Sequence, residues 1–123
     1  MNVDIVKTQD YYRTVTESSL CDCDYCRNYR FQIKSSLPEV TEYLYSLGVD
    51  IEKPFETSPL EPDENGMMEY CCCQYIVFGC CEAEYKHKIG NIELRMATSY
   101  PSTGIKDEHF VIELFPIQLK YIF

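Results

Sequence analysis

The chain lacks most of the residue patterns that indicate common enzyme classes. It has no tryptophan and only two histidines, and its five glycines are dispersed along the chain. A phosphate-binding glycine loop is therefore absent. Neither His87 nor His109 stands beside a serine or cysteine in a nucleophile motif, although a catalytic triad is recognised only by geometry. These absences make an enzyme the less favoured class.

Long apolar runs are also missing. No stretch approaches the roughly 18 consecutive apolar residues of a membrane-spanning helix. The first residues include an acid at Asp4 and show no apolar run followed by small residues, which is unlike a secretory signal. We therefore expect a cytoplasmic protein without a membrane partner.

Positive charge is scarce, and negative charge is concentrated in one segment. The chain carries 11 basic and 20 acidic side chains, a formal net charge of -9, and residues 37–69 alone hold one basic and nine acidic residues. Such a field repels nucleic acid and anionic lipid, so we expect no nucleic-acid partner. A solvated face is the simpler interpretation of this segment. A docking site for a basic protein is the alternative.

Cysteine, in contrast, is abundant, with eight residues in 123. A chain of this length and apolar content can bury a core without disulfide bonds. The consecutive residues Cys71, Cys72 and Cys73 would also alternate between the faces of a strand. We therefore expect reduced thiols, and we interpret the five cysteines of residues 71–81 as core packing.

The pattern of apolar residues predicts helices early in the chain. Residues 37–47 carry one apolar stripe, with a capping box at Ser36 and Glu39, Pro38 in the first turn and Gly48 at the C-terminal cap. Residues 25–34 are a second helix candidate. The short alternations at residues 3–6 and 12–16 favour strands.

Strands are predicted for the rest. Asn65 and Gly66 form a hairpin signal before a long central strand at residues 67–85, for which strict alternation puts Tyr70 and Cys73 on opposite faces. Strands at 89–98 and 110–115 follow, and residues 117–123 form an edge strand after Pro116. With no repeat or linker, we expect a single domain, 1–123. Its class is α+β, a mainly antiparallel sheet with one or two helices packed on one face.

The most unusual local sequence is Cys21-Asp-Cys23-Asp-Tyr-Cys26. If a helix starts near residue 24, Cys23 and Cys26 lie one turn apart and could share a zinc ion with Cys21. A fourth ligand is unknown: His87 or one of the strand cysteines is a candidate. A thiol-redox pair is a second interpretation, although no βαβ pattern precedes it. Thiols that serve as small hydrophobic side chains are the simplest one.

A resemblance accompanies these motifs. The strings Cys23-Asp-Tyr-Cys26-Arg-Asn-Tyr29, Leu47-Gly-Val-Asp50-x-x-Lys53-Pro-x-Glu56 and Gln74-Tyr75-x-Val77-x-Gly79 resemble a family of small uncharacterised bacterial proteins. The resemblance implies a bacterial, cytoplasmic setting and a structural corner at the first cysteine pair. It brings no assigned activity, and therefore no catalytic residue or cofactor.

Together these observations favour a non-enzymatic binding or interaction domain of unknown specificity. The alternative is a zinc-binding or thiol-redox protein that uses Cys21, Cys23 and Cys26.

Overall fold

The computed structural model describes residues 1–123 and has an α+β fold, which confirms the predicted class. A short 3-10 turn, Glu17–Ser19, precedes the second helix. The helices and strands are, in chain order, β1 (Asn2–Val3), α1 (Ile5–Thr14), α2 (Asp24–Ser36), α3 (Pro38–Ser46), β2 (Glu56–Pro59), β3 (Met67–Cys80), β4 (Lys86–Ile89), β5 (Ile92–Met96), β6 (His109–Phe115) and β7 (Ile117–Lys120).

The long strand β3 is the centre of a seven-stranded antiparallel sheet. On one side it pairs with β1 and β2, and on the other with β6 and β7; β5 and β4 continue the sheet beyond β6. The register of β3 is the same on both sides of Pro116, because Cys73 pairs with Leu114 and Tyr70 with Ile117. β6 and β7 thus act as one strand, and β7 forms the predicted edge.

β3 does not alternate strictly between its two faces. Met68 and Tyr70 lie in the same core as Cys73, Tyr75 and Val77, so the side-chain phase changes between residues 70 and 73. The prediction that Tyr70 and Cys73 face opposite sides was wrong. An irregularity in the strand, which sequence alternation does not reveal, shifts the phase by one residue.

The main core lies between the helices and one face of the sheet. Tyr29 and Ile33 of α2 and Val40 and Leu44 of α3 are buried there. The stripe predicted for residues 37–47 therefore packs inward as expected. A second, smaller apolar cluster covers the other face of the sheet and contains Ile76, Phe78, Ala97 and Val111.

Helices α2 and α3 meet at a sharp corner. Leu37 ends α2 and also caps α3, and no side chain caps the N-terminus of α3. The predicted Ser36–Glu39 capping box was wrong, because α2 extends through Ser36 and leaves that residue helical. Gly48 does adopt the expected left-handed conformation, with φ +89°. A Cβ atom there would approach the Ile5 carbonyl oxygen to 2.6 Å.

The first sixteen residues contain the clearest error of the sequence prediction. Only Asn2–Val3 form a strand, whereas α1 covers Ile5–Thr14. Asp4 caps this helix by accepting a hydrogen bond from the Lys7 N–H at 3.1 Å. An alternation of four or five residues cannot distinguish a strand from a helix.

The later strands agree better with prediction. Asp63 accepts hydrogen bonds from the N–H groups of Asn65 and Met67, which closes the hairpin between β2 and β3. β3 ends at Cys80 instead of residue 85, and Gly79 there has φ +120°. The predicted strands at 89–98 and 110–115 correspond to β5 and β6, and β4 was not predicted.

Candidate metal and thiol site

Three cysteines come together where α2 begins. The sulfur atoms of Cys21, Cys23 and Cys26 all lie within 4.8 Å of one another. Cys21 belongs to the segment between the 3-10 turn and α2, Cys23 is the residue that caps α2, and Cys26 lies in its first turn. The convergence that their spacing suggested is therefore present, and these three thiols could hold a metal ion.

Cys23 takes the place of the usual serine or aspartate cap. Its backbone is extended, and its Sγ accepts a hydrogen bond from the Cys26 N–H at 3.5 Å. An N-cap side chain satisfies one of the helix donors that have no partner within the helix. The cap therefore fixes the Cys23 sulfur above the first turn, close to Cys26.

The pKa values of the Cys23 and Cys26 thiols are shifted in opposite directions. Partial burial raises the pKa of Cys23, but hydrogen bonds from the Cys26 N–H and from Cys21 outweigh it and lower that pKa overall. Burial raises the pKa of Cys26 to about 12, against an opposing hydrogen bond from Thr57. Cys26 Sγ lies 3.4 Å from Thr57 Oγ1. Cys23 thus carries the thiolate more readily.

A cleft of about 300 Å³ adjoins the three sulfurs. We call it the thiol cleft; its walls include Leu20, Cys21, Cys23, Cys26, Arg30 and Phe55. The Arg30 Nη1 atom is buried and has no hydrogen-bond partner. A guanidinium nitrogen without a partner is costly. The wall of the cleft carries one positive side chain, Arg30, and one negative side chain, Glu56.

The five remaining cysteines do not form a second site. Only Cys73 is fully buried; Cys71 and Cys80 are exposed, and Cys72 and Cys81 are half-buried. The expectation that all five pack in the core was wrong for Cys71, Cys72 and Cys80, because the phase change and the end of β3 turn these side chains outward. Cys81 is half-buried and packs against the main core. None of the five belongs to a group of three or more side chains that could hold a metal ion. All eight cysteines are free of disulfide bonds.

No fourth protein ligand joins the cluster. His87, a candidate from the sequence, stacks on Tyr43 with ring centroids 4.5 Å apart and belongs to no ligand group with the cysteines. Cys72 contacts Ser58 instead, at 3.6 Å, and Cys80 ends β3 beside β1. The site has three thiols and an open side.

Sequence reasoning missed Thr57 and Arg30. Thr57 reaches Cys26 because β2 pairs with β3, so that Thr57 lies opposite Cys73. Arg30 lies one turn after Cys26 on α2. The i to i+4 spacing of Cys26 and Arg30 was the one sequence signal that could have placed the arginine beside the thiols.

The exposed acidic residues of 37–69 lie on α3, on β2 and in the loop between β2 and β3. Glu56 is the one on β2, and it also lines the thiol cleft. Glu39 and Glu42 are exposed on α3, and Glu61, Asp63 and Glu64 are exposed in the loop between β2 and β3. None of them belongs to a group of side chains that could hold a metal ion.

No protein-family model matches the chain, and no curated protein or solved structure is significantly similar to it. None of its helices has the length and apolar content needed to cross a membrane.

Proposed function

We propose that this protein binds a thiophilic metal ion, Zn²⁺ in the first instance, through the thiolates of Cys21, Cys23 and Cys26. The observation that carries the proposal is the convergence of the three sulfurs within 4.8 Å. Tetrahedral zinc–thiolate bonds of about 2.3 Å require sulfurs roughly 3.8 Å apart. Small side-chain rotations therefore suffice to close the site.

The open side of the cluster determines what kind of metal site this is. Structural zinc sites have four protein ligands, whereas sites with three leave a position for water or another molecule. The thiol cleft provides room for that fourth ligand next to the sulfurs. We therefore propose a site that exchanges its fourth ligand, in place of a closed structural site.

Metal binding at this site must displace protons. The raised pKa of Cys26 means that its thiol is protonated at neutral pH, and a thiol binds a metal as the thiolate. The ion therefore competes with a proton at Cys26, and the affinity should increase as the pH rises.

Zinc titration of the reduced protein against a chromogenic chelator tests the proposal. We expect one ion per chain, with an affinity that falls more than about 100-fold in C21S, C23S and C26S, beyond what loss of an outer-shell partner costs. C71S is the matched control, since Cys71 is an exposed thiol on β3. Unchanged affinity in C23S and C26S would rule out the site.

A second candidate function is binding of a basic protein through the acidic residues 37–69. The exposure of Glu39, Glu42, Glu61 and Glu64 supports it. The geometry favours the metal site, because the carboxylates form no defined pocket. A fluorescent oligolysine peptide is a suitable probe. Replacing the four glutamates with glutamine should weaken a salt-sensitive complex, and an unchanged affinity would exclude this candidate.

A further inference from the structure

Cys23 and Cys26 differ in exposure and in hydrogen-bond partners, and metal binding does not require this difference. Cys23 is exposed and receives the Cys26 N–H at the start of a 13-residue helix. Cys26 lies one turn further, half-buried against Thr57 of β2. Cys23 is therefore the thiol more open to a reactant in solution, and Cys26 is the more enclosed one.

From this geometry we propose a further activity: in its metal-free, reduced form the protein carries out dithiol–disulfide exchange with small disulfides that bear carboxylates. Cys23 is the attacking residue and Cys26 the resolving residue. This activity goes beyond the proposed metal binding and does not depend on it, because the exchange requires only Cys23 and Cys26, whereas the metal site requires all three cysteines.

The exchange balances without a further oxidant. The Cys23 sulfur attacks one sulfur of the disulfide R–S–S–R, so that a Cys23–S–S–R bond forms, the original S–S bond breaks and RS⁻ leaves with the proton that Cys23 gave up. The Cys26 thiol then loses its proton and attacks Cys23 Sγ. The second RS⁻ leaves and takes up that proton, and the protein holds a Cys23–Cys26 disulfide.

The local geometry suits both steps. A backbone N–H that donates to Cys23 Sγ stabilises negative charge on that sulfur. Cys26 Sγ lies within 4.8 Å of Cys23 Sγ before any rearrangement. Cysteines at this spacing on a helix have Cβ atoms about 5–6 Å apart, so a modest adjustment closes the disulfide.

The preference for an anionic disulfide follows from the thiol cleft. Arg30 is the one basic residue in its wall and lies there together with both cysteines, and Glu56 is the one acidic residue. A carboxylate of a disulfide bound at Cys23 would pair with the Arg30 guanidinium, against the repulsion of the Glu56 carboxylate. Leu20 and Phe55, also in the wall, provide apolar contact for the carbon chain that connects the carboxylate to the sulfur.

The test uses the reduced, metal-free full chain and two probes: glutathione disulfide, which carries carboxylates, and bis(2-hydroxyethyl) disulfide, which is neutral. Mass spectrometry with peptide mapping should find a Cys23–Cys26 disulfide in the wild type. It should find a stable mixed disulfide at Cys23 in the double variant C21S/C26S, in which Cys21, whose sulfur also lies within 4.8 Å of Cys23 Sγ, cannot resolve it. C21A/C26A, examined in the same way, guards against misfolding of a single variant. C71S should behave as the wild type.

Two further variants separate this activity from metal binding and from non-specific thiol chemistry. C21S should lose zinc affinity and still form the Cys23–Cys26 disulfide. R30Q should react about fivefold more slowly with glutathione disulfide, a change consistent with the loss of one charge-assisted contact, and at the wild-type rate with the neutral probe.

The exchange activity, the preference for carboxylates and the metal binding are each contradicted by a different result. A mixed disulfide that forms in C21S/C26S and C21A/C26A at Cys71 or Cys80 as readily as at Cys23 would overturn the exchange activity, even if the wild type binds zinc normally. An equal effect of R30Q on both probes would overturn the preference for carboxylates. Absence of zinc binding together with normal exchange would refute the proposed function alone.

Discussion

At the scale of single residues, the buried hydroxyl groups show how polar atoms are accommodated in the core. Tyr29 and Tyr75 are both fully buried, and their hydroxyl oxygens lie 2.5 Å apart. The Tyr75 hydroxyl donates to the Ile51 carbonyl at 2.6 Å, so the Tyr29 hydroxyl donates to Tyr75. This chain joins α2 to β3 and to the segment after α3, and each buried hydroxyl has a partner.

We predict that Tyr75→Phe destabilises the protein by about 1–3 kcal/mol, because it leaves the Tyr29 hydroxyl and the Ile51 carbonyl without their partner. Urea-induced unfolding followed by circular dichroism measures the change. Tyr45→Phe is the control, since Tyr45 is 72% exposed, and it should change stability by less than about 0.5 kcal/mol. Equal stability of the two variants would contradict the assignment.

The same burial predicts the response of the protein to alkaline pH. Burial raises the pKa of Tyr12, Tyr29, Tyr75 and the Cys73 thiol in the folded state. These groups must stay protonated in the fold but ionise in the unfolded chain near pH 8.5–10, about their ordinary values. Their contribution to stability is complete below that range, begins to be lost as the pH rises through it, and continues to be lost up to the raised pKa values of the folded state.

Thermal unfolding at a series of pH values measures this effect. The Tm of the metal-free protein should fall as the pH rises from about 8 to about 11. The tyrosinate absorbance of the folded protein should develop at higher pH than that of the urea-unfolded chain. A Tm that stays constant or increases over this range would show that the phenols are not enclosed as described.

At the scale of elements, the end of β3 depends on the backbone of Gly79. Its φ is +120°, and a Cβ atom there would lie 2.1 Å from the Asn2 carbonyl oxygen. Gly79 pairs with Val3, and Asn2 pairs with Cys80. A side chain at position 79 is therefore incompatible with the pairing of β1 and β3.

We predict that Gly79→Ala costs at least about 2 kcal/mol, since backbone strain at a position of positive φ adds to the clash. Gly90→Ala is the matched control: it also has positive φ, +60°, but a Cβ atom added there would have no neighbouring atom within 4 Å. The control should cost about 1 kcal/mol. Denaturant titration compares them, and equal losses would argue against the clash with β1.

Elements with long patterns or strong turn signals could be predicted from the sequence, and short ones could not. The stripe from Leu37 to Leu47 and the Asn65–Gly66 turn both specify local structure, and both occur as expected. Residues 3–6 were too short to define their period, and α1 instead depends on its Asp4 cap and on packing against β3. The phase change in β3 arises from pairing with distant strands, which no local window contains.

In the candidate site, too, the features that depend on local sequence could be predicted, and those that depend on distant strands could not. Cys21, Cys23 and Cys26 are local in sequence, and a helix that begins at Asp24 is enough to bring them together. Thr57 reaches Cys26 only through the sheet. The exposure of the strand cysteines also depends on which face of β3 each side chain occupies. The prediction from the sequence assumed strict alternation and therefore overestimated their burial.

At the scale of the whole molecule, the carboxylates are spread over the surface and also surround the cysteine cluster. Asp22 and Asp24 lie between the three cysteines in the sequence and are exposed, and Glu56 lines the thiol cleft together with Arg30. In a protein with a net charge of -9, Arg30 is the one basic residue in the wall of this cleft. A ligand that enters the cleft would therefore meet both a guanidinium and a carboxylate.

The measurement that tests the metal site most directly is the absorption spectrum of the protein titrated with Co²⁺ under reducing conditions. We predict saturation at one ion per chain, a visible spectrum typical of tetrahedral cobalt, and an ultraviolet sulfur-to-cobalt band whose intensity corresponds to three thiolates, with C71S unchanged. A spectrum of six-coordinate cobalt without a thiolate band, or a band that persists at full intensity in C23S, would contradict the assignment of Cys21, Cys23 and Cys26 as the metal ligands.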